Sequence, residues 1–370
     1  MVDIHSAELG SRVRETRLRK GLTQQELAEL IHLERTAVNK IETGGRKVAA
    51  LELADIATAL GVRMASFFEE PLPAVVSHRS SRGLDTVDSQ IDQVLQSIAD
   101  DVQLVSGLQP IQSHLPQQAW SVPHSGQEAE NMADRVRGVL SLDPVDPFLS
   151  ISRRAAELGL LVFSKELGVD TADGGTILLQ EGGVSLINSS NKVGRRRLAA
   201  AHELAHFLTA DEYTVDWRVA SDSTQTESNF DRFARALLMP RKGVSQLWSE
   251  HADRSGLRTA AVVTAGTFHV DMSTLARPLD ELGIVNSSQA SDVRGVRTRG
   301  ADMIEHDLHP GNELEGTSQP RAFQLAVIDL VRHERISRER ALDLLWHTLA
   351  DDDLPQPRTR GENEIRKYVS

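Results

Sequence analysis

Apolar residues recur at helical spacing from 7 to 70 (Leu9 and Val13, then Leu27, Leu30 and Ile31), with Gly and Thr as punctuation and no alternating run to mark a strand. The pattern predicts a compact all-helical unit. From about 71 the chain turns to Pro, Ser, Gln and Gly, including Pro71, Pro73, Pro110 and Pro116, as a connection between folded parts does. Within it Leu84, Val87, Ile91, Val94, Ile98 and Val105 fall at alternating steps of three and four, with Asp101 in the remaining seam position. A helix over 84–106 with a narrow apolar stripe is expected; the stripe packs on the chain's own domains or on a second copy. Further on, helical patterns at 129–141 and 149–158 alternate with short β-like runs at 160–163, 176–179 and 184–187, two of them bounded by the pairs Gly174-Gly175 and Gly182-Gly183. A small twisted sheet packed on helices follows. The last stretch has a polar lead-in and two helices, one with Phe323, Val327, Leu330 and Val331, the other with Ala341, Leu342, Leu344 and Leu345. The fold class is α+β, divided as a helical domain at 1–72, a linker with an amphipathic helix at 73–118, a mixed domain at 119–286 and a helical region of unassigned role at 287–370.

Composition narrows the chemistry. The chain has 370 residues, a net charge of -12 and no cysteine. Disulfides, thiolate metal sites and cysteine nucleophiles are therefore excluded, and any metal must rest on His, Asp and Glu. That suits a reducing cytoplasm. No basic segment followed by an apolar one opens the chain, and no apolar run approaches ~18 residues, so neither a signal peptide nor a membrane span is expected. Net acidity argues against a non-specific polyanion binder while leaving room for a locally basic DNA-reading surface.

The strongest chemical signal is His202-Glu203-Leu204-Ala205-His206, set in an Ala- and Leu-rich helical stretch. Positions i and i+4 lie one turn apart on one helix face, so both imidazoles can reach one Zn²⁺ while Glu203 projects beside it as general base. Catalytic zinc has three protein ligands and leaves a fourth position for water. Glu227 is the candidate third ligand. It opens a second helix with Phe230, Phe233, Ala234 and Leu237 on its buried face, closed by Pro240. Asp231, one turn from Glu227, is placed to accept a hydrogen bond from the outer ring nitrogen of a zinc histidine such as His202. This set points to metal-assisted peptide hydrolysis without a covalent intermediate. The run 183–188 is either an ordinary sheet strand or an edge strand that pairs with an extended substrate. Tyr213 and His269 are weak candidates for an oxyanion donor. Arg195, Arg196 and Arg197 form either a solvated helix start or a surface for an acidic partner.

Residues 22–44 carry a second pattern. Thr23 caps a short helix with Glu26 three residues on, Ala28 is small where two helices must cross, and Val38 and Ile41 anchor a second helix that ends near Gly44. In this helix-turn-helix arrangement Arg35, Thr36, Asn39 and Lys40 would face the major groove of double-stranded DNA, with Gln24 at the first helix's N-terminus. Arg46 and Lys47 follow as backbone contacts, and Glu34 counts mildly against. Arg12, Arg14, Arg17, Arg19 and Lys20 make either a solvated face or a phosphate-facing edge.

Residues 9–68 resemble the Xre/Cro/CI-type helix-turn-helix regulators through the 22–44 string and the helix after it. Residues 120–286 resemble the ImmA/IrrE family of metallo-endopeptidases, whose signature is H-E-x-x-H followed by an acid-led helix ending in Leu-Leu-Met-Pro, here 202–206 and 227–240. That resemblance implies a zincin-like fold, zinc ligands His202, His206 and Glu227, and Glu203 as base. The regulator resemblance implies DNA contact by Gln24, Arg35, Thr36, Asn39 and Lys40. Asn229, Phe230 and Asp231 stand where the peptidase family often has Glu, Ala and Asn, with Glu227 kept in register. Members of that family cleave repressor proteins and so switch on stress or mobile-element genes. Two functions follow as expectations. One is a cytoplasmic DNA-binding regulator whose zinc endopeptidase domain cleaves a repressor or antitoxin-like partner. The other is a DNA-binding repressor or antitoxin whose peptidase-like domain senses a partner or ligand without turnover. Half-site reading on an operator calls for a homodimer, with the 84–106 helix as the candidate interface.

Overall fold

The computed structural model describes residues 6–19, 22–60, 64–68, 75–79, 89–111, 120–168, 172–179, 181–209, 223–309 and 311–356. The chain divides into two compact units, Met1–Leu72 and Pro73–Ser370.

The first unit consists of helices α1 (Ser6–Arg19), α2 (Gln24–Leu30), α3 (Arg35–Glu42) and α4 (Ala50–Leu60), followed by a short 3-10 turn at Met64–Phe67. Thr23 and Glu26 form a reciprocal capping box at the start of α2. Past the end of α3, Gly44 has a φ of 73°, a left-handed conformation that costs glycine nothing and lets the chain leave the helix sharply. Val13, Leu27, Ala28, Val38, Ile41, Leu53, Ile56 and Leu60 form the core.

In the second unit the α+β expectation holds. Its elements are β1 (Val75–Arg79), α5 (Ser89–Leu108), α6 (Gly126–Val139), α7 (Ile151–Glu157), β2 (Leu160–Lys165), β3 (Gly174–Leu178), β4 (Gly183–Asn188), α8 (Val193–Thr209), α9 (Ser223–Leu238), α10 (Arg241–Phe268), α11 (Met272–Glu281), α12 (Ser287–Gly295), α13 (Gly300–Glu305), α14 (Arg321–Arg332) and α15 (Arg338–Leu344). The strand order is β1-β3-β4-β2, with β3 antiparallel to both neighbours and β4 parallel to β2. Alternate strand residues face two helical layers. Leu160, Val162 and Ile187 join the large core that includes Ala200, Ala201 and Leu204 of α8. On the opposite face Phe163 packs against Phe323 and Trp346 of the C-terminal segment, and α5 lies along β3 and β4.

Several alternatives left open by the sequence are decided here. The run 183–188 is not an edge: β4 lies between β3 and β2, and all six of its residues are buried. Its sequence, Gly-Val-Ser-Leu-Ile-Asn, does not record which strands lie beside it, which is why its edge or centre position was not legible. The edge beside β3 is instead taken by β1, a strand inside the Pro-rich segment. The apolar stripe of α5 is spent inside one chain, with Ile91, Leu95, Ile98, Ala99, Val102 and Val105 all buried. That choice excludes it as an exposed dimer seam. Ile91, Ile98 and Val105 are buried as the seam predicts, while Leu95 and Val102 take the places expected of Val94 and Asp101, and Asp101 accepts from Arg340 at 2.8 Å. Leu84 and Val87 lie outside the described residues.

Arg12, Arg17, Arg196 and Arg197 are structural. Arg17 makes two hydrogen bonds to the Glu42 carboxylate at 2.6 and 3.0 Å, and Arg12 donates to the Phe67 carbonyl at 3.2 Å. Both side chains are buried; Arg14 is exposed, and the side chains of Arg19 and Lys20 lie outside the described residues. Before α8's histidines, Arg195 pairs with Asp173, Arg196 donates to carbonyls of Glu313 and Asn191, and the fully buried Arg197 reaches the Glu313 carboxylate and the Phe148 carbonyl. Neither a solvated helix start nor a partner surface describes Arg196 and Arg197, because each satisfies buried acceptors of the same unit. Glu313 also accepts from the amides of Ser150 and Ile151 at 3.0 and 2.9 Å, where α7 begins. The C-terminal segment is thus built into this unit.

Candidate metal centre and nucleic-acid interface

Helix α8 presents His202 and His206 on one face, one turn apart, and α9 packs across it. Glu227 and Asp231 stand one turn apart on α9. The three expected ligand side chains meet: His202 Nε2 lies 3.1 Å from Glu227 Oε2 and 3.1 Å from His206 Nε2, and His206 Nε2 lies 3.4 Å from Glu227 Oε1. Ligand atoms at tetrahedral zinc bond lengths stand about 3.3 Å apart. The trio therefore fits one four-coordinate ion and leaves a corner for a fourth ligand. His202, His206 and Glu227 are also the group of metal-capable side chains that converges among the described residues.

The donor set supports the same fit. Asp231 Oδ1 lies 2.9 Å from His202 Nδ1, so that nitrogen carries the proton and the lone pair of Nε2 faces inward. There it confronts a carboxylate and a second imidazole nitrogen, a cluster of acceptors that a cation reconciles. Without a metal, protons on the two Nε2 atoms would take its place: burial raises the Glu227 carboxyl, but hydrogen bonds from His202 and His206 and the charge of those rings then outweigh it and hold the group well below the ordinary carboxylate range. Phe230 stands edge-on to both rings, 4.6 Å from His206 and 6.2 Å from His202 between centroids. Asn229, one of the three departures from the family pattern, donates to the Pro123 carbonyl at 2.8 Å and so pins α9 from its far side without disturbing Glu227.

Glu203 is fully buried, and its Oε2 accepts a hydrogen bond from the Thr176 hydroxyl of β3 at 2.7 Å. At the start of β3 a Cβ on Gly174 would crowd the neighbouring strand, 2.9 Å from Ile187 Cδ1 and 3.1 Å from the Leu186 carbonyl, while meeting Glu203 Cγ at an ordinary 3.4 Å. Thr176 was missed in the sequence; its only signal is a lone polar residue in an otherwise apolar strand. Of the oxyanion candidates, Tyr213 lies outside the described residues. His269 caps α10 in a left-handed conformation with its ring against Gly311, and burial, aided by the charge of Arg197, lowers its pKa.

In the first unit Arg35, Thr36, Asn39 and Lys40 are exposed on one side of α3, opposite the buried Val38 and Ile41. Gln24 braces this face, donating to Asn39 Oδ1 at 3.3 Å and to Glu42 Oε2 at 2.8 Å. Glu34 precedes α3 without capping it and accepts from Thr36 at 3.3 Å.

Fold and site together define a helix-turn-helix regulator joined to a metallopeptidase-like domain. Residues 13–67 match the helix-turn-helix family model, and residues 155–275 match that of the IrrE N-terminal-like domain. The chain is thus an Xre/Cro-type helix-turn-helix unit fused to an IrrE/ImmA-like domain. Among solved structures it is similar to the restriction-modification controller protein C.AhdI from Aeromonas hydrophila, at 39% identity over 17% of this chain and 94% of that one, with a TM-score of 0.17. The clp gene regulator ClgR from Corynebacterium glutamicum shares 22% identity over 29% of this chain and 96% of its own, with a TM-score of 0.17. PlcR from Bacillus thuringiensis, solved in complex with a peptide and DNA, shares 12% identity over 98% of each chain, with a TM-score of 0.18. No curated protein matches the chain. Among the described residues no helix is long and apolar enough to cross a membrane.

Proposed function

We propose that this regulator is a zinc-dependent endopeptidase that cleaves a repressor or antitoxin-like partner protein, with the helix-turn-helix unit reading an operator in double-stranded DNA through Gln24, Arg35, Thr36, Asn39 and Lys40. The observation that carries the enzymatic part is the triangle of His202, His206 and Glu227 with Asp231 behind His202. Bound there, zinc supplies Lewis-acid polarisation of a carbonyl and lowers the pKa of a coordinated water. Asp231 holds the tautomer of His202. Glu203, anchored through Oε2 by Thr176, takes up a proton at its carboxylate and returns it to the leaving amine. Operator binding as a homodimer, a cytoplasmic location and a role in stress or toxin-antitoxin regulation complete this reading.

The second reading, a sensor without turnover, draws support from one feature: the carboxylate assigned as base is fully buried. Replacing Glu203 with Gln separates the two. New protein N-termini present in host cells carrying the wild-type chain, and absent with Glu203→Gln at equal zinc content by elemental analysis, support the peptidase. Identical N-terminal profiles under DNA damage and other stresses, with operator occupancy retained, reject it.

A further inference from the structure

We propose that the edge of β3 is a binding site for an extended polypeptide, and that β1, the strand just after the helix-turn-helix unit, is its resident occupant and blocks it. The inference rests on the peptidase reading for its consequence but stands on backbone geometry.

Three observations lead to it. First, an edge strand offers a row of unpaired N–H and C=O groups that any extended chain can use, and enzymes acting on extended peptides hold them this way. In this sheet β4 is interior and β2 carries a bridge from Ser164 to Ser318 on its outer side, and with β1 displaced β3 becomes the opposite edge. Second, β3 is the strand that meets the candidate catalytic helix, since α8 packs on it and the Thr176 hydroxyl holds Glu203. A polypeptide paired along β3 runs past the residue that anchors the proposed base. Third, the position is already filled. β1 pairs antiparallel with β3, Ser77 opposite Thr176, His78 opposite Gly175 and Arg79 opposite Gly174, and it also touches α8. Its pairing is interrupted by an irregularity between Val75 and Ser77. A bulge bends a strand and disrupts its ladder locally.

The energetics favour a resident over a visitor. Residues 80–88 join β1 to α5, which packs on β3 and β4, and a strand held by a connection of that length competes at an effective concentration on the order of millimolar. A free polypeptide of equal intrinsic affinity, present at about micromolar concentration, is outcompeted on the order of a thousandfold. Strand β1 begins three residues after Leu72, where the first unit ends, so its occupancy is covalently tied to the DNA-reading part of the chain. Regulation then consists of displacing β1.

Two manipulations of the full-length protein test this. In an antiparallel pair, one of any two neighbouring residues points its N–H at the partner, so Ser77→Pro with His78→Pro removes at least one donor from the ladder. Conversely Val75→Cys with Ile177→Cys places a thiol pair across the strands of a chain without other cysteines, closed by oxidation and reopened by a reductant. The first readout is amide hydrogen exchange of residues 174–178, expected to quicken at least tenfold in the proline variant. The second is the binding of fluorescein-labelled casein, an unfolded probe, with Glu203→Gln in every variant to prevent hydrolysis. Binding is expected to tighten at least tenfold with the prolines and to vanish reversibly on oxidation of the cysteine pair. Unchanged exchange and unchanged casein binding in the proline variant, or equal binding by the oxidised and reduced cysteine variant, overturn the proposal. If casein binding responds as expected but no variant with Glu203 intact cleaves it, the catalytic reading fails and the edge assignment stands. Equal cleavage by all variants has the reverse meaning.

Discussion

Asp231 Oδ1 lies 2.9 Å from Nδ1 of His202, and this single contact decides which way the imidazole's lone pair faces. Partners of this kind typically support metal affinity by 10–100-fold. Asp231→Ala is expected to weaken zinc binding by about that factor in a competition titration against a chromophoric chelator. Asp231→Asn, which keeps an acceptor oxygen but loses the charge, falls between. Affinity unchanged in the alanine variant would mean that the tautomer is set by something else.

Thr176 positions Glu203 and does not touch the metal triangle. Thr176→Val keeps the shape of the side chain and deletes the donor to a buried carboxylate, a loss of about 1.5–3 kcal/mol in unfolding free energy. Zinc content should be unchanged, turnover should fall through kcat with little effect on KM, and Thr176→Ser should restore both stability and rate. A valine variant with full kcat would remove Thr176 from the machinery.

In the first unit, stability and DNA reading are expected to separate by residue. Glu42 is a buried partner of Arg17, so Glu42→Ala leaves an uncompensated guanidinium and costs about 3–5 kcal/mol in denaturant unfolding. Lys40→Ala should leave stability within about 0.5 kcal/mol of wild type. On an operator isolated by selection, it should reduce the slope of log K against log salt by about 1. Asn39→Ala should cost about 1–3 kcal/mol of discrimination at one base position. A salt slope unaffected by Lys40→Ala would place that side chain away from phosphate.

Acid should loosen the tie between α10 and α13. Hydrogen bonds from Arg258 at 2.9 and 2.8 Å, and one from the Arg299 amide, hold the Asp302 carboxyl down to about 2. A carboxyl depressed in the folded state contributes stability that is fully present above its unfolded value of about 3.9 and is lost as pH falls through its folded value. The contribution of this pair should therefore disappear between about pH 4 and pH 2. Asp302→Asn should lack that component across the whole range. Carbon-detected NMR titration of the carboxyl measures it directly; an ordinary midpoint near 4 would show that the pair does not form.

The helix faces were legible in the chain alone, because a helix's 3.6-residue period converts spacing directly into geometry. That period put His202 beside His206, Glu227 beside Asp231, and Arg35, Thr36, Asn39 and Lys40 opposite Val38 and Ile41. Local hydrogen bonding did the same for the Thr23 cap and the Gly44 exit. Strand order was not legible. The strand at 183–188 looks alike at an edge or in the middle of a sheet, and only the pairing of segments about a hundred residues apart in sequence placed β1 at the β3 edge. The same holds for charge. Arg12, Arg17, Arg196 and Arg197 look like solvated residues in the sequence because their acceptors, Phe67, Glu42 and Glu313 among them, lie far along the chain. Thr176 acquires its role the same way, through a carboxylate 27 residues away. Periodicity carries information between neighbours; which distant groups satisfy a buried charge or a strand edge is decided when the chain closes on itself.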